Sequence, residues 1–529
     1  MFRLAAALAA ATATFALPLA AQTTRAERTD YGETSTYDDV LAFLDSLQRS
    51  GAPMRIGTLG TSPEGRAIPY VLTSRPLVAS AAEARRTGKP IVWLQGNIHA
   101  GEVEGKEAAQ MLLRDLTVGP LARLLDSLVL IVVPIYNTDG NERFASGEVN
   151  RPGQNGPAVV GMRGNGQGLD LNRDYVKQEA PETRGTLALV NQWDPDVFID
   201  LHTTNGSYHG YALTWSPGLN PNANPANTWV QDRLLPEIRE RVRRRHGHET
   251  FPYGNFRNQE PDSLTQGWET YDSRARYGVN LMGMRGRVAI LSEAYSNDPF
   301  ETRVDATYDF VRETLGLIAA RADTIRRLIR ASERARPDSV TVRSQLAPPT
   351  TQPVIVEITH AAGDGSHGFA RRRRTGEFRT IRMPVYDRFA PARREAMPAA
   401  YLIPPQHSHV VELLVRQGIR VGRLSEPWNG AAERFTIDSV TAQPRPFEGH
   451  RLVSVEGRWS AAAADSVPAG WYVVSTDQPL GVLAAYLLEP ASEDGIVAWN
   501  FMDRDVRPRA DYPIRRTRAA VTAPAVLVE

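Results

Sequence analysis

Along the first two thirds of the chain the apolar positions gather into four short unbroken runs: IVWLQ from Ile91, LVLIVVPIY from Leu128, VFIDLH from Val197 and RVAILSE from Arg287. A run that is apolar at odd and even positions alike has no face to give to water, so each predicts a strand buried on both sides. Between the runs, apolar residues recur with helical spacing in EVEGKEAAQMLLRDL, PETRGTLALVNQW and the long FETRVDATYDFVRETLGLIAARADTIRRLIRASERA. Strand and helix alternate, which predicts an α/β fold around a largely parallel sheet.

The texture changes at ARPDSVTVRSQLAPPTTQP, where proline and small polar residues displace the periodic apolar positions. That composition predicts a linker over residues 336–353, between a catalytic unit at 30–335 and an accessory unit at 354–529. Beyond it, PVIVEIT, AAYLIPP, HRLVSVEG, GWYVVST and LGVLAAYLL alternate with Gly, Pro and Asp turns. The expectation there is a smaller β-rich domain built as a sandwich. Two basic stretches, RERVRRRHGH from Arg239 and ARRRRTGEFR from Ala370, are read as one face of a helix and a turn, both solvated.

Length, charge and cysteine content narrow the field. At 529 residues the chain exceeds what one core usually serves, which agrees with two domains. Lys and Arg number 61 against 60 Asp and Glu, so no bulk charge argues for nucleic acid as a partner. The N-terminus, MFRLAAALAAATATFALPLAAQTT, has one cation at Arg3, an apolar Ala/Leu stretch and small residues at Ala20 and Ala21. It reads as a cleaved signal peptide over residues 1–21, hence a secreted or periplasmic protein without stable membrane insertion. With no cysteine, any metal must be held by nitrogen and oxygen.

In open α/β sheets ligands bind beyond the carboxyl ends of the strands, and here those ends carry the chemistry. His99, Glu102 and Glu104 follow the first run, and Asn137 and Asp139 the second; the third ends in His202 and the fourth in Glu293. Three imidazole or carboxylate ligands with a fourth position open make a catalytic zinc site, and His99, Glu102 and His202 supply such a set. Singly, each has a plainer reading: a turn histidine, an acid favouring a helix start, a strand histidine. Their arrival together at one sheet edge favours the metal.

The ordered set GNIHAGE, YNTDG, GLDLNRDY, FIDLH and AILSEAYS resembles the zinc carboxypeptidases over roughly residues 35 to 330. The resemblance implies a mixed, largely parallel twisted sheet flanked by helices. It also implies one Zn2+ per chain on His99, Glu102 and His202, the His2Glu set of carboxypeptidase A. Glu293 matches the general base and Asp170 the carboxylate that orients the first zinc histidine. Asn172 and Arg173 match the pair that grips a terminal carboxylate, and Arg163 the arginine that stabilises the oxyanion. Tyr271, ahead of Tyr277, is the candidate for the substrate-capping tyrosine. The implied activity is hydrolysis of C-terminal peptide bonds in a peptide substrate. A zinc amidohydrolase acting on small N-acyl amino acids, and an inert exported binding protein, are the alternatives.

Two residues depart from the family pattern. Thr138 stands where proline is usual, in a turn that Asn and Asp favour without it. Asp174 stands where many members have asparagine, and a carboxylate beside Arg173 would weaken its grip on another carboxylate.

Overall fold

Each of the four apolar runs is a strand in the computed structural model of the protein, which describes residues 22–204, 206–223, 225–361 and 372–528. The expected signal peptide lies outside the described residues, among which no helix is long and apolar enough to cross a membrane. In chain order the main sheet has β1 (Met54–Thr61), β2 (Ala67–Ser74), β3 (Ile91–Gly96), β4 (Val129–Val133), β5 (Val197–Thr203), β6 (Leu213–Pro217), β7 (Thr250–Pro252) and β8 (Val288–Ala294). Side by side they run β1-β2-β4-β3-β5-β8-β6-β7. The central four, β4, β3, β5 and β8, are parallel. Antiparallel β2 and β6 flank them, so the sheet is mixed.

The central strands are buried on both faces, as their unbroken apolar runs require. Trp93, Ile131, Phe198 and Leu291 point into one apolar cluster, while Leu94, Leu130, Ile199 and Ile290 point into the other. Helices α1 (Tyr37–Arg49), α2 (Glu104–Thr117), α4 (Leu235–His246) and α6 (Phe300–Ala320) cover the second cluster. Helices α3 (Pro181–Trp193) and α5 (Gly278–Met284) pack on the first. The long periodic segment after Pro299 is two helices, α6 and α7 (Ala322–Arg334), because the backbone leaves helical geometry at Arg321 with φ −110° and ψ 14°. The basic stretch from Arg239 lies on α4, as its spacing suggests.

The segment read as a linker contains β9 (Ser339–Leu346), whose Val340 and Val342 are fully buried in the first cluster. A hairpin follows, β10 (Thr350–Ala361) and β11 (Arg372–Tyr386), and β11 lies parallel to Trp268–Glu269 of the catalytic region. The described part of the second basic stretch is therefore strand, not turn.

The expected sandwich is instead one seven-stranded sheet, antiparallel throughout: Ala463–Val467, Trp428–Glu433, Arg515–Thr517, Ala400–Ile403, Tyr472–Ser475, Gly422–Leu424 and Ala525–Leu527. Helices back one side of it. LGVLAAYLL, expected as strand, forms the helix Gly481–Leu488, with Leu483, Leu487 and Leu488 fully buried. A continuous apolar run buried all round reads the same in either state. That helix and Ser408–Arg416 share the first apolar cluster with α3 and α5, so the C-terminal region and the catalytic sheet have one core between them.

Candidate active site

His99 and Glu102 leave β3 in a tight connection to α2, where Asn97 takes φ 65°. Two glycines allow the helix to start so close to the sheet. A Cβ on Gly96 would meet the Gly105 carbonyl carbon at 2.9 Å, and one on Gly105 would meet Leu201 Cβ at 2.7 Å. This approach brings Glu102 against the end of β5, where Thr203 N donates to its Oε2 at 3.1 Å. His202 and Glu293 are register partners on β5 and β8, so the parallel sheet itself sets them side by side.

Glu102 Oε1 lies 3.1 Å from His99 Nδ1, and its Oε2 3.0 Å from His202 Nδ1. The two Nδ1 atoms are 3.3 Å apart. Ligand atoms of His99, Glu102 and His202 all fall within 4.8 Å of one another, and among the described residues no other group of three His, Asp or Glu does so. Behind them, His99 Nε2 lies 3.0 Å from Asp170 Oδ1 and His202 Nε2 3.0 Å from Asp200 Oδ2. For His99, the Asp170 carboxylate holding Nε2–H leaves the Nδ1 lone pair facing inward, which is how metal-bound histidines are oriented. Two imidazoles and one carboxylate so arranged fit a zinc ion.

Charge is balanced by arginines. Arg151 Nη1 and Arg163 Nη1 donate to Glu102 Oε1 at 3.0 and 3.3 Å, and Arg163 also grips Asp170 Oδ2 through Nε and Nη2 at 3.0 and 2.8 Å. Burial pushes the Glu102 carboxyl up, but His99 and Arg151 outweigh it and hold it well below the usual carboxylate range. Burial lowers the His202 imidazole, yet Asp200 and Glu102 hold it well above its usual value. Glu293 differs: burial, reinforced by Glu102, pushes it up to about 8 against the pull of His202 and two arginines.

Asp170 caps a single turn, Leu171–Arg173, through Oδ1 to Asn172 N at 2.9 Å. That turn sets Asn172 and Arg173 on the wall of the same cavity, about 100 Å³, which His99, Glu102, His202, Arg163 and Glu293 also line. Tyr271 and Tyr277 are both there, rings 5.4 Å apart, with the Arg173 guanidinium 4.3 Å over Tyr277. Asp174 turns away. It is fully buried, accepting from Lys177 Nζ, Glu179 N and Ala180 N, each at 2.9 Å, so it does not compete for Arg173 as the sequence led us to expect. Thr138 and Asp139 are buried in the short helix Thr138–Glu142, capped by Asn137, so the turn forms without proline.

Residues 40–281 match the family model described as zinc carboxypeptidase. This stretch belongs to the zinc carboxypeptidase family. Membership makes the protein a metallocarboxypeptidase, a hydrolase of a zinc-dependent family. It is 26% identical over 504 residues to carboxypeptidase 2 of Trichophyton rubrum, covering 91% of this chain and 87% of that one. It is 30% identical over 199 residues to carboxypeptidase D of Mus musculus, 33% of this chain and 14% of that protein. Among solved structures it is similar to a metallo-carboxypeptidase from Burkholderia cenocepacia, with TM-score 0.40 and 17% identity, covering 55% of this chain and 70% of that one. It is likewise similar to carboxypeptidase A from Helicoverpa armigera, with TM-score 0.40 and 16% identity, covering 55% and 74%. The zinc carboxypeptidase match ends before Glu293, whose position follows from the sheet register with His202.

Arg151, Asp200 and Tyr253 also touch this site and were not singled out from the sequence. Asp200 carried a signal, two residues before His202 on the same strand and therefore on the same face. Arg151 and Tyr253 follow no apolar run, and nothing in their neighbourhood marks them.

Proposed function

We propose that the protein is an exported carboxypeptidase that removes single residues from the C-termini of peptides, using one zinc held by His99, Glu102 and His202. Export rests on the leader-like N-terminus. The observation that carries the reading is the convergence of three ligand atoms beside a buried carboxylate, with a guanidinium for the substrate's own carboxylate in the same cavity.

Zinc at such a centre lowers the pKa of water and polarises a carbonyl. The remaining work falls to side chains of this chain. Glu293 has the raised proton affinity that suits a group taking a proton from the attacking water and passing it to the leaving amine. Arg163 points a fixed positive charge into the cavity, where negative charge grows on the carbonyl oxygen. Arg173, steadied by the Tyr277 ring, and Asn172 suit paired hydrogen bonds to a terminal carboxylate. Burial raises the phenols of both Tyr271 and Tyr277, so either can stay protonated and donate over the bound end.

The test is a mixed peptide library incubated with the mature protein and analysed by mass spectrometry. Stepwise loss of single C-terminal residues is expected. Internal cuts, or turnover of N-acyl amino acids alone, would overturn the assignment.

A further inference from the structure

The C-terminal region sends a hairpin back to the zinc-ligand shell. Strands Phe435–Ala442 and Val453–Trp459 pair antiparallel, with Ala442 opposite Val453. At the tip, Phe447 N donates to His450 O at 2.8 Å and His450 N to Phe447 O at 3.0 Å. The two residues between them, Glu448 and Gly449, both have positive φ, 49° and 80°. This is the pattern of a type I′ turn, whose central positions normally go to glycine, asparagine or aspartate. Glutamate at the first of them is a strained choice, and strain of this kind persists where something else holds the residue in place.

What Glu448 does there is specific. Its Oε2 accepts from the backbone N–H of Asp170 at 3.0 Å, across 278 residues of sequence. Asp170 is the residue whose Oδ1 lies 3.0 Å from His99 Nε2 and whose Oδ2 is held by Arg163. Two residues further along the turn, His450 Nε2 lies 2.8 Å from Glu179 Oε1, so the tip is pinned at both ends of the segment that carries Asn172 and Arg173. From helix Ser408–Arg416 onward, Gln417 Nε2 adds a bond to Tyr175 O at 2.8 Å.

We propose that Glu448 is a positioning residue for the zinc site: by fixing the Asp170 backbone it fixes the carboxylate that orients His99. The inference rests on the zinc reading above. It gives the C-terminal region a part in the reaction, because the metal-orienting segment takes one of its backbone bonds from outside the catalytic sheet. Strain at Glu448 is then the cost of presenting a carboxylate where glycine would sit more easily.

Two substitutions in the full chain separate this role from a structural one. Glu448→Gly relieves the positive φ but deletes the acceptor; Glu448→Gln keeps an acceptor oxygen of the same reach. Zinc affinity is read by competition with a chelator, thermal stability on the zinc-free protein, and kcat on the zinc-saturated protein. Partners that orient metal ligands typically contribute 10- to 100-fold in affinity, and one bond further out the lower end applies, so Glu448→Gly should bind zinc about 10-fold more weakly. Its kcat should fall, while the zinc-free melting temperature stays level or rises. Glu448→Gln should restore most of the zinc affinity. Wild-type zinc affinity in Glu448→Gly, or no recovery in Glu448→Gln, overturns the proposal alone. A wild-type protein that binds no zinc overturns the functional reading and this one with it.

Discussion

Replacing Glu293 by Gln tests the chemistry most directly. The change keeps volume and hydrogen-bonding shape but removes the carboxylate that, among the described residues lining this cavity, is suited to carry a proton away from water. Nearby carboxylates cannot take over. Glu104 is fully buried and bonded to Thr203 and Arg303; Asp139 accepts from Ser62 Oγ at 2.6 Å, Glu64 N at 2.9 Å and Arg66 Nη1 at 2.8 Å. Glu102 is held between His99 and His202, where the proposed metal would take it as a ligand. A positioned acid–base group contributes roughly 10²- to 10⁴-fold, and with no substitute in reach the upper half of that range is expected, about 4 to 5.5 kcal/mol in barrier. The assay is steady-state hydrolysis of an N-acylated dipeptide by protein of verified zinc content. Zinc stoichiometry and the affinity of a competitive inhibitor should stay near wild type. Stability supplies an independent readout. The folded state holds the Glu293 proton up to about pH 8 whereas an unfolded glutamate releases it near 4.3, so the metal-free fold loses stability as pH rises through that window. Glu293→Gln should abolish that loss, so activity falls while metal-free stability at pH 8 rises. Near-normal turnover by a zinc-loaded variant would refute the assignment of the base.

Three further outcomes follow from the geometry. His202→Ala should reduce zinc from about one per chain to almost none at micromolar free zinc, measured by elemental analysis, since two ligands make a poor catalytic site. Arg173→Gln should cut the preference for a free over an amidated C-terminus by roughly 10- to 100-fold, the worth of hydrogen bonds to a charged group, with the loss seen mainly in KM. Asp494→Ala should destabilise the whole protein by about 3–5 kcal/mol in chemical unfolding, because it strands the buried Arg276, now bonded to Asp494 Oδ1 through Nε at 2.8 Å.

The candidate zinc ligands and Glu293 were legible because each lies at or just beyond the end of a short, largely apolar run, and runs of that length alternating with helical segments read as central strands. The outer strands β1, β2, β6 and β7 were not: β1 is buried at only two of its eight positions, β7 has three residues, and β2 and β6, though largely buried, have their apolar runs interrupted by proline and polar residues. Arg163 and Asp170 were reachable through an ordered motif, whereas Arg151 sits in a loop whose course nothing local dictates. Glu448 was beyond reach altogether, because its meaning depends on a contact spanning 278 residues. In the C-terminal region, helix Gly481–Leu488 was lost for the reason that made the central strands plain. An apolar segment buried on every side reads alike in either conformation, and only length and context decide.

The shared core has a consequence in time. Ribosomes add about 5–20 residues per second, so the 278 residues that separate Asp170 from Glu448 take roughly 14 to 56 seconds to synthesise. Arg276 waits for Asp494 across a further span of 218 residues. Throughout that interval the nascent chain holds the ligand-bearing segment without its brace and a cation without its counter-charge. The ligand-bearing segment is therefore completed only once Glu448 and Asp494 have been made, which ties completion of the site to synthesis of the C-terminal region.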